Sequence, residues 1–362
     1  MFYFTTRAVI AAIAVGTFSL VGPGIAMGSV FNSAVTQVAA TSATVTAQGL
    51  DAAVCVRTVN GAPFIPSAVV ESCTGVATQT PSTVTAPLLP SPITAGQRPG
   101  ATNTGPADDT AFRQINGDLI LSRAGEVLDS VQVNGTIRVT APNVTIKNSY
   151  VAGRPGLAWG QPLIYAGTGS SAGLVIENSV IAPSDPSWVV NGIFGFGFTA
   201  RAIDVHSVID AVHIFGSDVS IEGSWLHDPY HGPDSGQPDK VTHDDSIQIG
   251  KGANIVILGN SMSGAYNAVI QITQGIGPVS NVIIANNWVA GGACSLNIAE
   301  GSELIREFSV QNNRFGTSRY TCPILVSPAM KAASTFSANV WESNLTAVHF
   351  TCRDPSVPNW RC

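Results

Sequence analysis

The sequence predicts an all-β solenoid, and three observations carry that prediction. The first is repetition. A nine-residue phrase recurs as Asn143-Val-Thr-Ile-Lys-Asn-Ser-Tyr-Val151, Gly173-Leu-Val-Ile-Glu-Asn-Ser-Val-Ile181, Asp218-Val-Ser-Ile-Glu-Gly-Ser-Trp-Leu226, Asn254-Ile-Val-Ile-Leu-Gly-Asn-Ser-Met262, Asn281-Val-Ile-Ile-Ala-Asn-Asn-Trp-Val289 and Glu307-Phe-Ser-Val-Gln-Asn-Asn-Arg-Phe315, with a weaker copy from Gly197. The starts lie 30, 24, 21, 36, 27 and 26 residues apart, a period that means stacked units. The second is alternation. Val144 and Ile146 share one parity, Thr145 and Lys147 the other, the period-two pattern of a strand. The third is spacing. The intervals leave no room for a crossover helix between copies, which excludes a doubly wound α/β sheet and suits one coil of three short strands per repeat.

The corners follow from composition. Asn148, Asn178, Asn286 and Asn312 fall at one repeat position, with Gly223 and Gly259 at the same place. Asn and Gly tolerate the left-handed backbone that a sharp corner requires. Stacked Asn side chains also bond from coil to coil. Tyr150, Trp225 and Trp288 occupy aligned positions and read as packing rather than as a sugar platform.

Outside the array the chain changes character. Arg7 is the only early charged side chain, and an unbroken apolar or small run from Ala8 to Val21 leads to small residues around Ala26 to Gly28. That is an export leader, residues 1–27, too short to span a membrane comfortably. Residues 28–75 form a small segment without a recognisable motif. Residues 76–112 are rich in Thr, Pro, Ala, Gly and Ser, a linker composition that resists a packed core. The solenoid takes residues 113–350, and residues 351–362 form a tail. Of 362 residues 45 % are hydrophobic and only 11 % charged, with a net charge of −6. There is ample material for a long core, and no basic face for a nucleic-acid partner. No membrane association is expected once the leader is removed, and a monomer is expected.

Six cysteines, even in number and without C-x-x-C spacing, agree with export and argue against zinc. Fifteen connectivities are open to six bonded cysteines, and free buried thiols are the alternative. The repeat singles out one pair. Cys294 and Cys322 lie 28 residues apart, about one repeat, so they sit on adjacent coils. The strand spacing of about 4.8 Å then falls within the Cα separation a disulfide needs. Cys55–Cys73 and Cys352–Cys362 are the simplest remaining pairs.

Taken together these features resemble a right-handed parallel β-helix of the pectin-lyase fold, over roughly residues 118–345. That fold hosts hydrolases, lyases, epimerases and inert adhesins, so the resemblance implies architecture before activity.

A second strand precedes each phrase. Asp210-Ala-Val-His-Ile214, Asp245-Ser-Ile-Gln-Ile249, Ala268-Val-Ile-Gln-Ile272 and Cys294-Ser-Leu-Asn-Ile298 align on their apolar residues. Val212, Ile247, Ile270 and Leu296 then face the core, and His213, Gln248, Gln271 and Asn297 form an outward polar column. Asp210 and Asp245 stack at the strand entrance with Asp244 beside them. Carboxylates one strand spacing apart repel, so at least one pKa rises unless a cation intervenes, and paired carboxylates suit acid/base work on a glycosidic bond. The interval from Asp210 to Asp245 carries an inserted polar loop, Pro229 to Lys240, bracketed by His227, Asp228, His231 and His243. Four of the six histidines fall between His213 and His243. Loops on a rigid scaffold build sites.

The carboxylate pattern resembles the β-helical glycoside hydrolases of the polygalacturonase and dextranase type. There, one Asp at a strand start is followed a coil later by an Asp-Asp pair. The resemblance implies Asp244 as general acid, with Asp210 and Asp245 activating water. His243, next to them in the chain, is a further candidate catalytic residue. His213, His227, Gln248 and Gln271 are candidate sugar contacts, and Arg201 and Lys251 candidate partners of an anionic sugar. The chain reads Gly264-Ala-Tyr-Asn-Ala268 where polygalacturonases carry Gly-His-Gly, and Asn297-Ile-Ala where they carry Arg-Ile-Lys. Two other readings stand beside hydrolysis. In a polysaccharide lyase or uronate epimerase, Asp210, Asp244 and Asp245 would hold Ca²⁺ and His243 or Lys251 would act as base; the hydrolase needs no cofactor. In a non-catalytic glycan-binding or surface protein, the outward column alone would do the work.

Overall fold

A computed structural model describes residues 98–353, apart from 159, 234–236 and 302. The export leader, the segment 28–75, the linker up to residue 97, the Cys55–Cys73 pair and Cys362 lie outside the described residues.

The chain winds through three faces in strict rotation. The first face holds ten short parallel strands, from Arg113–Asn116 through Tyr150–Val151, Asp204–Val205 and Trp225–Leu226 to Val340–Trp341. The second runs from Leu119–Leu121 through Gln161–Ala166, Val190–Gly195, Val212–Phe215, Ala268–Ile272 and Cys294–Ile298 to Phe350–Cys352. The third runs from Val127–Asp129 through Phe198–Arg201, Val219–Glu222 and Val279–Ala285 to Thr335–Ser337. One strand of 14 residues, Asp245–Leu258, passes unbroken from the second face into the third. All pairing between these named strands is parallel, as the all-β solenoid requires, and the one α-helix among the described residues is the six-residue Pro328–Ala333.

The nine-residue phrase is the third-face strand, a corner, and the first-face strand. Its corner sits in the left-handed region at Asn148 (φ 47°), Asn178 (46°), Asn286 (58°) and Asn312 (56°), with Gly223 and Gly259 likewise positive. The residue that opens each phrase is a second corner of the same kind: Asn143, Gly173, Gly197, Asp218, Asn254, Asn281 and Glu307 all have positive φ. Each left-handed non-glycine residue is strained, and it is retained because the coil closes only if the backbone turns there.

The interior follows from alternation. Val212, Ile247, Ile270 and Leu296 stack in register and are buried, as are Val144 and Ile146. The Asn ladder forms one residue later than the corner position. Asn148 does bond outward to Asp129 on the coil before it, but the continuous ladder is internal, at Asn260, Asn287, Asn313 and Asn339, all buried. Asn287 accepts from the backbone N of Asn260 (2.8 Å) and from its Nδ2 (3.0 Å), and donates to Asn313 (2.9 Å) and to the carbonyl of Ile257 (2.9 Å). Ser149, Ser179 and Ser224 hold the same position in earlier coils. Tyr150, Trp225 and Trp288 lie in register on the first face, with Trp288 buried.

Cys294 and Cys322 are bonded across adjacent coils, with Cα atoms 4.6 Å apart. Cys352 is also disulfide-bonded. The stretch from residue 98, expected as linker, is docked instead. Arg98 bonds Ser261 (3.2 Å) and Glu342 (2.6 Å), and Gly105 N bonds the carbonyl of Ala202 (2.8 Å), which holds the stretch along the first face.

Replacing Asn287 with Ala leaves buried donors and a carbonyl unpartnered. It is expected to cost on the order of 2–4 kcal/mol, read as a lower denaturation midpoint; an unchanged midpoint would show the ladder to be dispensable. Converting Cys294 and Cys322 to Ser is expected to cost roughly 3 kcal/mol under oxidising conditions and nothing once the wild type is reduced.

Candidate functional site

The three aspartates converge where the first face turns into the second, and all are buried: Asp210 is 6 % exposed, Asp244 0 % and Asp245 1 %. Their oxygens serve the next coil. Asn191 Oδ1 accepts from Asp210 N (3.3 Å), Asp210 Oδ1 from Asp245 N (3.1 Å), and Asp245 Oδ1 from Ala268 N (2.8 Å) and Asn267 Nδ2 (2.9 Å). Each coil's polar side chain thus caps the strand that follows. Asp244 Oδ1 takes His231 Nδ1 (2.8 Å) and Thr242 Oγ1 (3.1 Å), and its Oδ2 takes Tyr266 N (2.7 Å). Among the described residues no group of three or more His, Cys, Asp or Glu converges to hold a metal.

Burial and the neighbouring Asp210 push the Asp245 carboxyl well above the usual carboxylate range, against the opposing pull of Asn267 and Ala268. This is the consequence of stacked carboxylates anticipated above.

The outward column is longer than the four aligned strands suggest. The second face places in register Arg138, Tyr165, Phe194, His213, Gln248, Gln271 and Asn297. The Arg138 guanidinium lies 4.9 Å from the Tyr165 ring centre. Tyr165 and Phe194 are near-parallel at 6.2 Å, and Phe194 meets His213 at 4.6 Å and Phe215 at 4.3 Å. Gly167 leaves room for this, because a Cβ there would stand 2.6 Å from both Phe215 and Tyr165. Beyond His213 the column becomes an amide row, in which Asn297 Nδ2 donates to Gln271 Oε1 (2.7 Å). Arg353, from the tail, bonds Asn297 Oδ1. A cation therefore reaches the coil whose own strand reads Asn297-Ile-Ala.

His213 stands where the aromatic and amide stretches meet. Its Nδ1 lies 3.4 Å from Asp210 Oδ2, and Nε2 has no hydrogen-bond partner among the described residues. Lys251 lies in register with Phe215, past a bulge at the column's downstream edge.

Three candidates fall elsewhere. Arg201 is on the third face, facing Glu222 in register and ion-paired with it at 3.1 Å, so it contributes nothing to the column. His227 follows a first-face strand, stacked on Trp225 at 3.4 Å and bonded to Asp204 (3.0 Å) and Asp228 (2.9 Å). Burial pushes its pKa down, but the bonds to Asp204 and Asp228 outweigh that and leave it raised. His243 points to solvent and pairs with Asp239 at 3.0 Å rather than with the carboxylates.

The loop contributes His231 instead. Its ring stacks on Tyr266 at 3.8 Å while its Nδ1 is held by Asp244. Sequence reasoning placed His231 beside the site but gave it no role, because the partner that orients it comes from the far end of the loop. Phe194 and Tyr165 were within reach: Ile193-Phe194-Gly195 aligns with Val212-His213-Ile214 once the frame is carried one coil upstream.

No protein-family model, curated protein or solved structure matches the chain. Fold and site together define a parallel β-solenoid with a polar and aromatic track on one outer face.

Asp245→Asn tests the electrostatics at the corner. A raised folded pKa means that the group's contribution to stability is full below the ordinary value of 3.8 and is lost as pH rises through the folded value. Asn stays neutral and keeps an acceptor for Ala268 N. The variant is expected to lose less stability than wild type between pH 4 and pH 8 in denaturant melts; a steeper loss would contradict the raised carboxyl.

Proposed function

We propose that this is an exported carbohydrate-active enzyme that takes an extended polysaccharide along the outer face of the second sheet. The observation that supports this best is the column itself. Aromatic faces and amides recur at the strand spacing of about 4.8 Å, close to the width of one sugar ring, so consecutive rings of a chain laid along the axis meet consecutive coils. Aromatic rings supply apolar surface to the faces of sugars, and Gln and Asn side chains offer both donors and acceptors to hydroxyls.

Acid/base work in this reading belongs to His213. It stands in the middle of the column, its Nδ1 faces the buried Asp210, and its Nε2 has no hydrogen-bond partner among the described residues. A carboxylate behind an imidazole orients the ring. Asp244 and Asp245, fully buried and committed to N–H donors, act here through what they position. The three-faced parallel coil supports the pectin-lyase-type part of this reading, and the apolar run from Ala8 to Val21 supports export.

The same burial favours a second reading, in which the track binds glycan without cleaving it. One experiment separates the two. The protein is offered a panel of polysaccharides, with retention in affinity gels, new reducing ends and ultraviolet absorbance all recorded. Phe194→Ala is expected to weaken retention about tenfold, given the energy of an aromatic contact in a polar setting. His213→Ala is expected to abolish product formation while retention persists. Reducing ends without absorbance mark hydrolysis, and absorbance marks elimination. Retention without any product supports the binding protein, and no retention on any glycan overturns both.

A further inference from the structure

At the edge of the track, three turns bring a stack of side chains together. The Arg319 guanidinium carbon lies over Tyr266, 3.4 Å from the ring centre, and Tyr266 in turn stacks on His231 at 3.8 Å. Tyr320, 71 % exposed, flanks Arg319 at 5.4 Å. The backbone fixes the stack: Arg319 N bonds the carbonyl of Gly292, and Tyr266 N bonds Asp244.

The Arg319 charge has no carboxylate against it, a condition it shares among the described residues with cations such as Arg138 and Lys251. Arg98, Arg123, Arg154 and Arg201 each pair with a carboxylate. Arg319 is exposed and has no carboxylate partner among the described residues. The carboxylate that touches the stack is Asp244, which is fully buried and engaged by His231, Thr242 and Tyr266. A guanidinium is a planar fork of five donors, and one face laid on a ring fixes the plane while leaving the N–H edge free. Less entropy is then lost when an oxyanion binds in that plane.

We propose that Arg319, levelled by Tyr266 and flanked by Tyr320, is an oxyanion-binding site that takes a carboxylate or sulfate group carried by the bound glycan. This rests on the track reading only for the glycan; the site itself stands on the stack. The Arg319 fork donates in bidentate fashion to two oxygens of the group, and Tyr266 sets the angle.

The full chain is run in affinity gels containing dextran sulfate, polygalacturonate or neutral dextran at fixed ionic strength, beside Arg319→Gln, Tyr266→Phe, Tyr266→Leu and Phe194→Ala. Arg319→Gln is expected to weaken retention by the anionic polymers about tenfold, the loss of a charge-assisted pair, and to leave behaviour on neutral dextran unchanged. Tyr266→Phe keeps the platform and should match wild type, whereas Tyr266→Leu should fall toward Arg319→Gln. Selective loss on dextran sulfate or on polygalacturonate identifies the group as sulfate or carboxylate, and either supports the site. Wild-type retention by Arg319→Gln on both anionic polymers overturns the inference, as does a wild type that neither retards. Loss in Arg319→Gln without loss in Phe194→Ala keeps this site and removes the track.

Discussion

Every feature of this protein depends on register between coils. The parallel strands stack one above another, so a residue's neighbours are the residues one coil before and after it. The coil closes only where the backbone turns sharply, and that turn falls on left-handed residues such as Asn148, Asn178 and Asn286. Their strain is offset by the stacking it permits. Each turn sends Val144 or Ile146 inward and puts a polar residue outward, and the next coil repeats the pattern. Loss of register by one residue would invert the faces of every strand after it.

The same constraint governs the polar interior. A buried amide is tolerable only when its donors and acceptors are all met, and an in-register stack meets them by repetition. Asn260, Asn287, Asn313 and Asn339 each give to a carbonyl of the coil before and accept from a backbone N of it, and the first three also give to the Asn of the next coil. Asn191, Asp210 and Asp245 follow the same rule at another corner, each capping the strand above. Carboxylates placed in such a row carry an electrostatic cost, seen in the raised Asp245, which a purely amide row avoids. The chain nonetheless places Asp210 and Asp244 there, and each holds a histidine at its back. The buried acids thus hold the two imidazoles, which lie on the more exposed side of each pair.

Much of this was legible in the residues alone. The phrase located the third-face strand, its corner and the first-face strand, and the second alignment located His213, Gln248 and Gln271 on one outer column. The bond between Cys294 and Cys322 followed from the same ruler. Arg201 and His227 lie off the column because a coil has three outward faces, and nothing in their sequence positions says which face each one takes. Arg201 faces out on the third and finds Glu222 one coil on. His243 was tied to the acids by adjacency, yet it lies ahead of the strand Asp245–Leu258, is exposed, and turns to Asp239.

The sequence by itself determined the all-β solenoid, the identity of the inward residues and the partners of each strand, because these are periodic and periodicity is visible in one dimension. Only the tertiary structure decided what the inserted loop does and which cations reach the track. His231 meets Asp244 across 13 residues, Arg319 meets Tyr266 from two coils away, and Arg353 reaches Asn297 across 56. None of these contacts is periodic. They depend on where a loop or a tail folds back, which is set by the shape of the surface it meets.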